Sequence, residues 1–153
     1  MIRHVLLSLA ACAALCGQAP DPLDRAYKAL AAKSYDEAIG AFLAAIEQAP
    51  GQPSVRKDLA YTYLKIGETD AARDQFAEAM RLEPADEHVA LEYAFLCFET
   101  RKQAEARRVF DRLRTTASGA ARAAAEQAFE NIDQPLGEGV PGLLRLSAVQ
   151  ERA

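Results

Sequence analysis

Two stretches, "AFLAAIEQAP" (Ala41–Pro50) and "QFAEAMRLEP" (Gln75–Pro84), begin thirty-four residues apart and share their phrasing. Each has Phe second, Ala fifth and a charged residue seventh, and each closes on Pro. Ala38, Phe42 and Ala45 recur as Ala72, Phe76 and Ala79, and Ala106 and Phe110 continue the same step into a third copy. Internal periods of twenty to fifty residues are the mark of stacked supersecondary units, so this interval decides how the rest of the chain is read.

Each copy holds two helical patterns. In "DPLDRAYKALAAK", Asp21 is placed to cap a helix and Pro22 stands at its first position, where a missing N–H costs nothing. Leu23, Ala26, Tyr27 and Leu30 then recur at three- and four-residue steps. "SYDE" reads as a capping box, with Ser34 over the first turn of a second helix and Glu37 reaching back. That helix carries Ala38, Phe42, Ala45, Ile46 and Ala49 and stops before Pro50. Pro53 opens the next unit, whose first helix carries Val55, Leu59, Ala60, Tyr63 and Leu64. Gly67 follows where a left-handed cap is needed. "EHVALEYAFLCFET" and "QAEARRVFDRLRTT" supply the third pair.

This register resembles the tetratricopeptide repeat, a helix–turn–helix of thirty-four residues. The resemblance rests on Ala26, Ala60 and Ala94 in the first helices, on Ala38, Ala72, Ala106, Phe42, Phe76 and Phe110 in the second, and on Pro50 and Pro84. It implies an all-α, right-handed α-solenoid of three units (about 21–50, 53–84 and 87–116) within an array spanning 21–118. The third copy departs furthest from the pattern, with Arg101 in place of Gly67 and no closing Pro. A capping helix is expected over 119–134, and a hinge and short tail helix over 135–153. The family's geometry places the first helix of each unit on the concave side. The groove expected there is lined by Tyr27, Leu30, Lys57, Tyr61, Leu64, Lys65, His88, Leu91, Phe95 and Phe98. Its positions do not match the groove type that clamps a carboxylate terminus with Lys, Asn and Arg. Leu23, Tyr27, Asp58, His88 and Glu92 stand there instead. An apolar or amphipathic peptide is the expected ligand, and self-association through the ends of the array is a further reading.

Composition narrows the function. Half of the residues are hydrophobic, a quarter are charged, and the net charge is −4. No basic block is present, which argues against nucleic acid. No nucleophile elbow, phosphate-binding glycine loop or Cys/His metal spacing occurs, so neither enzyme, cofactor nor metal is expected. His88 reads as a surface residue of a helix start and Cys97 as a buried thiol. The acidic pairs Asp36–Glu37 and Asp86–Glu87 suit helix N-termini.

The first sixteen residues differ from the rest. Arg3 and His4 precede an apolar run from Val5 to Leu15, and polar "GQAPDP" follows. This is the layout of a secretory signal, too short to span a bilayer, with 17–20 as a linker. Ordinary cleavage near Cys16–Ala19 is favoured; "LAAC" (Leu9–Cys12) also resembles a lipobox, which would put a lipid on Cys12 and anchor the chain to the envelope. Export to the periplasm or beyond is expected by either route. The chain is read as an exported interaction scaffold, or as an accessory or truncated module of a larger envelope system.

Overall fold

The computed structural model describes residues 21–132, which form seven α-helices in sequence. These are α1 (Pro22–Ala31), α2 (Tyr35–Gln48), α3 (Pro53–Lys65), α4 (Thr69–Leu82), α5 (Glu87–Glu99), α6 (Gln103–Thr116) and α7 (Gly119–Asn131). Each packs chiefly on its neighbours in the chain, giving an α-solenoid. The leader, the linker and the tail read above lie outside the described residues.

Local chemistry sets the helix ends. Asp21 accepts the Leu23 amide at 3.2 Å, and Pro22 and Pro53 each open a helix. Asp86 accepts the Val89 amide at 3.0 Å and caps α5. Ser34 does not do what its capping box predicts: it stands at the N-cap of α2, but its side chain makes no capping hydrogen bond. Its own amide is already spent on the Ala29 carbonyl at 2.9 Å, which closes α1, and Glu37 instead approaches Arg25 at 3.9 Å.

The turn inside each pair is the same three times. Lys33, Gly67 and Arg101, thirty-four residues apart, have φ of 59°, 81° and 62°. The residue after each donates its amide back to the carbonyl of Ala29, Tyr63 and Cys97 respectively, which satisfies a terminal carbonyl. Only Gly67 takes this left-handed conformation without a Cβ penalty; Lys33 and Arg101 bear it because the rest of the turn holds them there.

Alanine and phenylalanine divide the core between them. Ala26 with Ala38, Ala60 with Ala72, and Ala94 with Ala106 are all 0% exposed, each pair in one core cluster. A missing side chain on both helices lets the backbones approach closely within a unit. Phe42, Phe76 and Phe110 are the largest fully buried side chains. Each packs edge to face with an aromatic ring from the first helix of its own unit. The pairs are Tyr27–Phe42, Tyr61–Phe76 and Phe95–Phe110, with centroids 5.4, 5.0 and 5.1 Å apart.

The helix expected to cap the array carries the repeat itself. In α7, Ala128 and Phe129 stand thirty-four residues beyond Ala94 and Phe95, and Ala125 and Ile132 stand thirty-four beyond Leu91 and Phe98. Ala125, Ala128 and Ile132 are buried in the cluster that holds Phe110 and Leu113. α7 thus occupies the place of a first helix in a fourth unit.

Candidate functional site

The odd-numbered helices share one face, and polar side chains stitch it from unit to unit. On α1, the Tyr27 hydroxyl donates to Asp58 Oδ2 of α3 at 2.5 Å. On α3, the Tyr61 hydroxyl lies 3.0 Å from His88 Nε2 of α5, and His88 Nε2 is 3.6 Å from Glu92 Oε1. Glu92 also acts on the Tyr61 hydroxyl, and it stands thirty-four residues beyond Asp58 as Tyr61 does beyond Tyr27. Lys57 Nζ donates to Asp86 Oδ2 at 2.9 Å and lies 3.8 Å from Glu83.

These contacts govern ionisation. Burial, then the bond to Asp58 and its charge, push the Tyr27 phenol up to about 12. Burial and the carboxylates around it, Glu92 foremost, raise the Tyr61 phenol further. Both hydroxyls keep their protons, and that of Tyr27 donates to Asp58. Desolvation raises the Glu92 carboxyl above its ordinary range, against the opposing pull of His88 and Tyr61. Burial works the same way on Asp86, but the bonds from Lys57 and the Val89 amide outweigh it and lower the value. The Asp86 bond outweighs desolvation at Lys57 too, and raises it.

Eight of the ten predicted groove residues keep some accessible surface. Tyr27, Lys65 and His88 are exposed, while Leu30, Lys57, Tyr61, Leu64 and Phe95 are half-buried. Leu91 and Phe98 are a correction: both are buried in the core cluster that includes Ala125, Ala128 and Ile132 of α7. The helix that continues the repeat covers them. Phe95 remains at a small cleft with Phe98, Phe110, Ala128, Asn131 and Ile132.

Sequence reasoning placed Asp58 and Glu92 at the positions of a carboxylate clamp but did not foresee that they face the tyrosines of the preceding unit. The signal lay in the same period. Asp24, Asp58, Glu92 and Glu126 follow one another at thirty-four-residue steps on the odd helices, as do Tyr27, Tyr61, Phe95 and Phe129. Cys97 is buried with a free thiol, as its sequence context predicts. Among the described residues, no group of three His, Cys, Asp or Glu side chains could hold a metal ion. No helix among them is long and apolar enough to cross a membrane.

A Tetratricopeptide repeat family profile matches residues 29–77. Solved structures resemble the chain over most of its length. Yeast Tom70 superposes with a TM-score of 0.63 at 22% identity, covering 72% of this chain and 22% of that one. The TPR2B domain of yeast Sti1, solved as a complex with pHsp70, gives 0.58 at 14% identity, covering 74% and 94%. The second TPR domain of human RPAP3, solved with the HSP70 peptide SGPTIEEVD, gives 0.58 at 18% identity, covering 73% and 92%. No curated protein matches the chain by sequence.

Proposed function

We infer that the chain, which is a tetratricopeptide-repeat protein, works as a non-catalytic binding scaffold that holds a peptide segment of another protein along α1, α3 and α5. The observation that carries this reading is the aromatic ladder Tyr27, Tyr61 and Phe95. Each ring is anchored edge to face on a buried Phe and keeps part of its surface accessible. Rigid aromatic side chains interleaved with polar groups give contact area at little entropic cost. The peptides bound by the human RPAP3 and yeast Sti1 domains support peptide recognition by this fold. The leader-like composition of residues 1–16 supports an exported setting, which the intact mass of the mature protein tests. A chain beginning near Gly17–Ala19 agrees with ordinary secretion, and an acylated Cys12 makes the protein a lipoprotein instead.

In-cell photo-cross-linking tests the binding face. A photoreactive phenylalanine analogue at position 27 or 65 should yield adducts, whereas the same group at the exposed positions 43 of α2 and 74 of α4 should not. Equal yields from all four positions would refute a specific odd-helix groove.

A further inference from the structure

The groove is acidic at the positions where its helices meet. Asp58 and Glu92 sit one per unit: half-buried Asp58 accepts from the Tyr27 hydroxyl, and Glu92, 9% exposed, acts on the Tyr61 hydroxyl beside His88. Lys57, the cation that acts on Asp58, is occupied: Asp86 holds its ammonium at 2.9 Å and Glu83 lies at 3.8 Å, while His88 Nε2 lies 3.6 Å from Glu92. An acid-tailed peptide such as SGPTIEEVD, the ligand of the human RPAP3 domain, would bring carboxylates up to carboxylates here. Like charges brought together in a partly desolvated groove cost several kcal/mol, so such a ligand is selected against.

A carboxylate beside an aromatic face is a setting that suits a guanidinium. The planar fork can pair with the carboxylate while its face stacks on the ring, which an ammonium does less well. The chain demonstrates half of this itself. On Phe129, the fourth residue of the aromatic series, the guanidinium carbons of Arg107 and Arg114 lie 4.7 and 4.3 Å from the ring centroid. Tyr27 and Tyr61 occupy the equivalent places in the first two units, and there the neighbours on the next helix are Asp58 and Glu92.

We propose that the odd-helix groove takes a cationic amphipathic peptide, with arginine side chains seated where Tyr27 meets Asp58 and where Tyr61 meets Glu92, and apolar residues against Leu30, Leu64 and Phe95. This rests on the binding face proposed above and specifies the chemistry of its partner. Because the pairing is charge-assisted and the Asp58 carboxylate is partly exposed, affinity falls with ionic strength. Both carboxylates lie on one face, so a peptide with a single arginine binds more weakly than one with two.

The test uses the full chain and three fluorescein-labelled twelve-residue probes: alternating leucine and arginine, the same with arginine replaced by glutamine, and the same with glutamate. Fluorescence anisotropy at low and at physiological salt should rank arginine first, at least about tenfold tighter than glutamine, with the glutamate probe weakest. Asp58→Asn and Glu92→Gln should each weaken the arginine probe several-fold. Asp36→Asn and Glu47→Gln, which remove the same charge from exposed positions of α2, should leave it unchanged. Equal weakening by the α2 changes would show unspecific attraction to a net-negative protein and overturn the proposal. Equal affinity for the arginine and glutamine probes would also overturn it, while leaving the apolar groove standing if both lose binding with Tyr61→Ala. Binding of none of the three probes would overturn both.

Discussion

Phe76→Ala should destabilise the whole array and not only its own unit. Phe76 is 0% exposed and receives the Tyr61 ring at 5.0 Å and 81°, so truncation removes a full aromatic side chain and an edge-to-face pair. Phe→Ala changes at such sites cost about 3–5 kcal/mol, of which the aromatic pair supplies about 0.5–1.5. For the roughly 110 described residues, the unfolding entropy is roughly 0.23 kcal/mol/K, so Tm should drop by about 13–22 °C. Position matters as much as volume. Unit stability and nearest-neighbour interfaces sum along a solenoid, and the α3–α4 pair contacts helices on both sides. Phe76→Ala should therefore give one transition, shifted down. Phe42→Ala makes the same cavity in the terminal pair, where α1 has no helix before it among the described residues. That variant should lose the α1–α2 share of the helical signal early, ahead of the main transition. Circular dichroism at 222 nm during thermal and urea unfolding reads both. Superimposable curves for the two variants, or a Phe76→Ala shift below about 5 °C, would refute this reasoning.

Lys33→Gly and Arg101→Gly should each stabilise by about 0.5–1 kcal/mol, because both residues hold a left-handed φ that glycine takes freely. Gly67→Ala should cost about 1 kcal/mol at the equivalent turn; the space around its Cβ is open, so only the backbone is strained, and urea midpoints measure all three. Asp86→Ala removes the α5 cap and the Lys57 partner and should cost about 1–2 kcal/mol at neutral pH. Since the Asp86 value is depressed, that stabilisation is present above its ordinary value of 3.8 and is lost as pH falls, so variant and wild type should converge in acid. Glu92 works in the opposite sense: its raised value means ionisation opposes folding, so wild type loses stability as pH climbs above the ordinary 4.5 through the raised value. Glu92→Gln should lack that loss in a pH series of urea melts.

The helices and their core were legible because the small and large apolar residues repeat at one interval. Ala26, Ala38 and Phe42 recur faithfully enough to place the pairs and the buried phenylalanines. The two left-handed turns were hidden at Lys33 and Arg101, since neither residue type signals positive φ, and only their distance from Gly67 marks them. The capping box at Ser34 misled because the turn that closes α1 takes the Ser34 amide that Glu37 would reach back to, and a sequence pattern shows the box alone. In the site, Tyr27, Tyr61 and Phe95 follow from helical spacing. Leu91 and Phe98 do not, because α5 is apolar nearly all round and its inner face is covered by α7. Reading α7 as a further first helix, through Ala128 and Phe129, would have identified both as core.

Peptide binding along the odd helices is the central claim, and amide chemical-shift mapping tests it most directly. A peptide selected on the full chain from a random library should be titrated into isotope-labelled protein. Shifts should concentrate in Leu30, Asp58, Tyr61, Leu64, Glu92 and Phe95, with residues of α2 and α4 such as Leu43 and Asp74 unmoved. Shifts centred on α2, α4 and α6, with the Tyr61 and Phe95 signals unchanged, would contradict it.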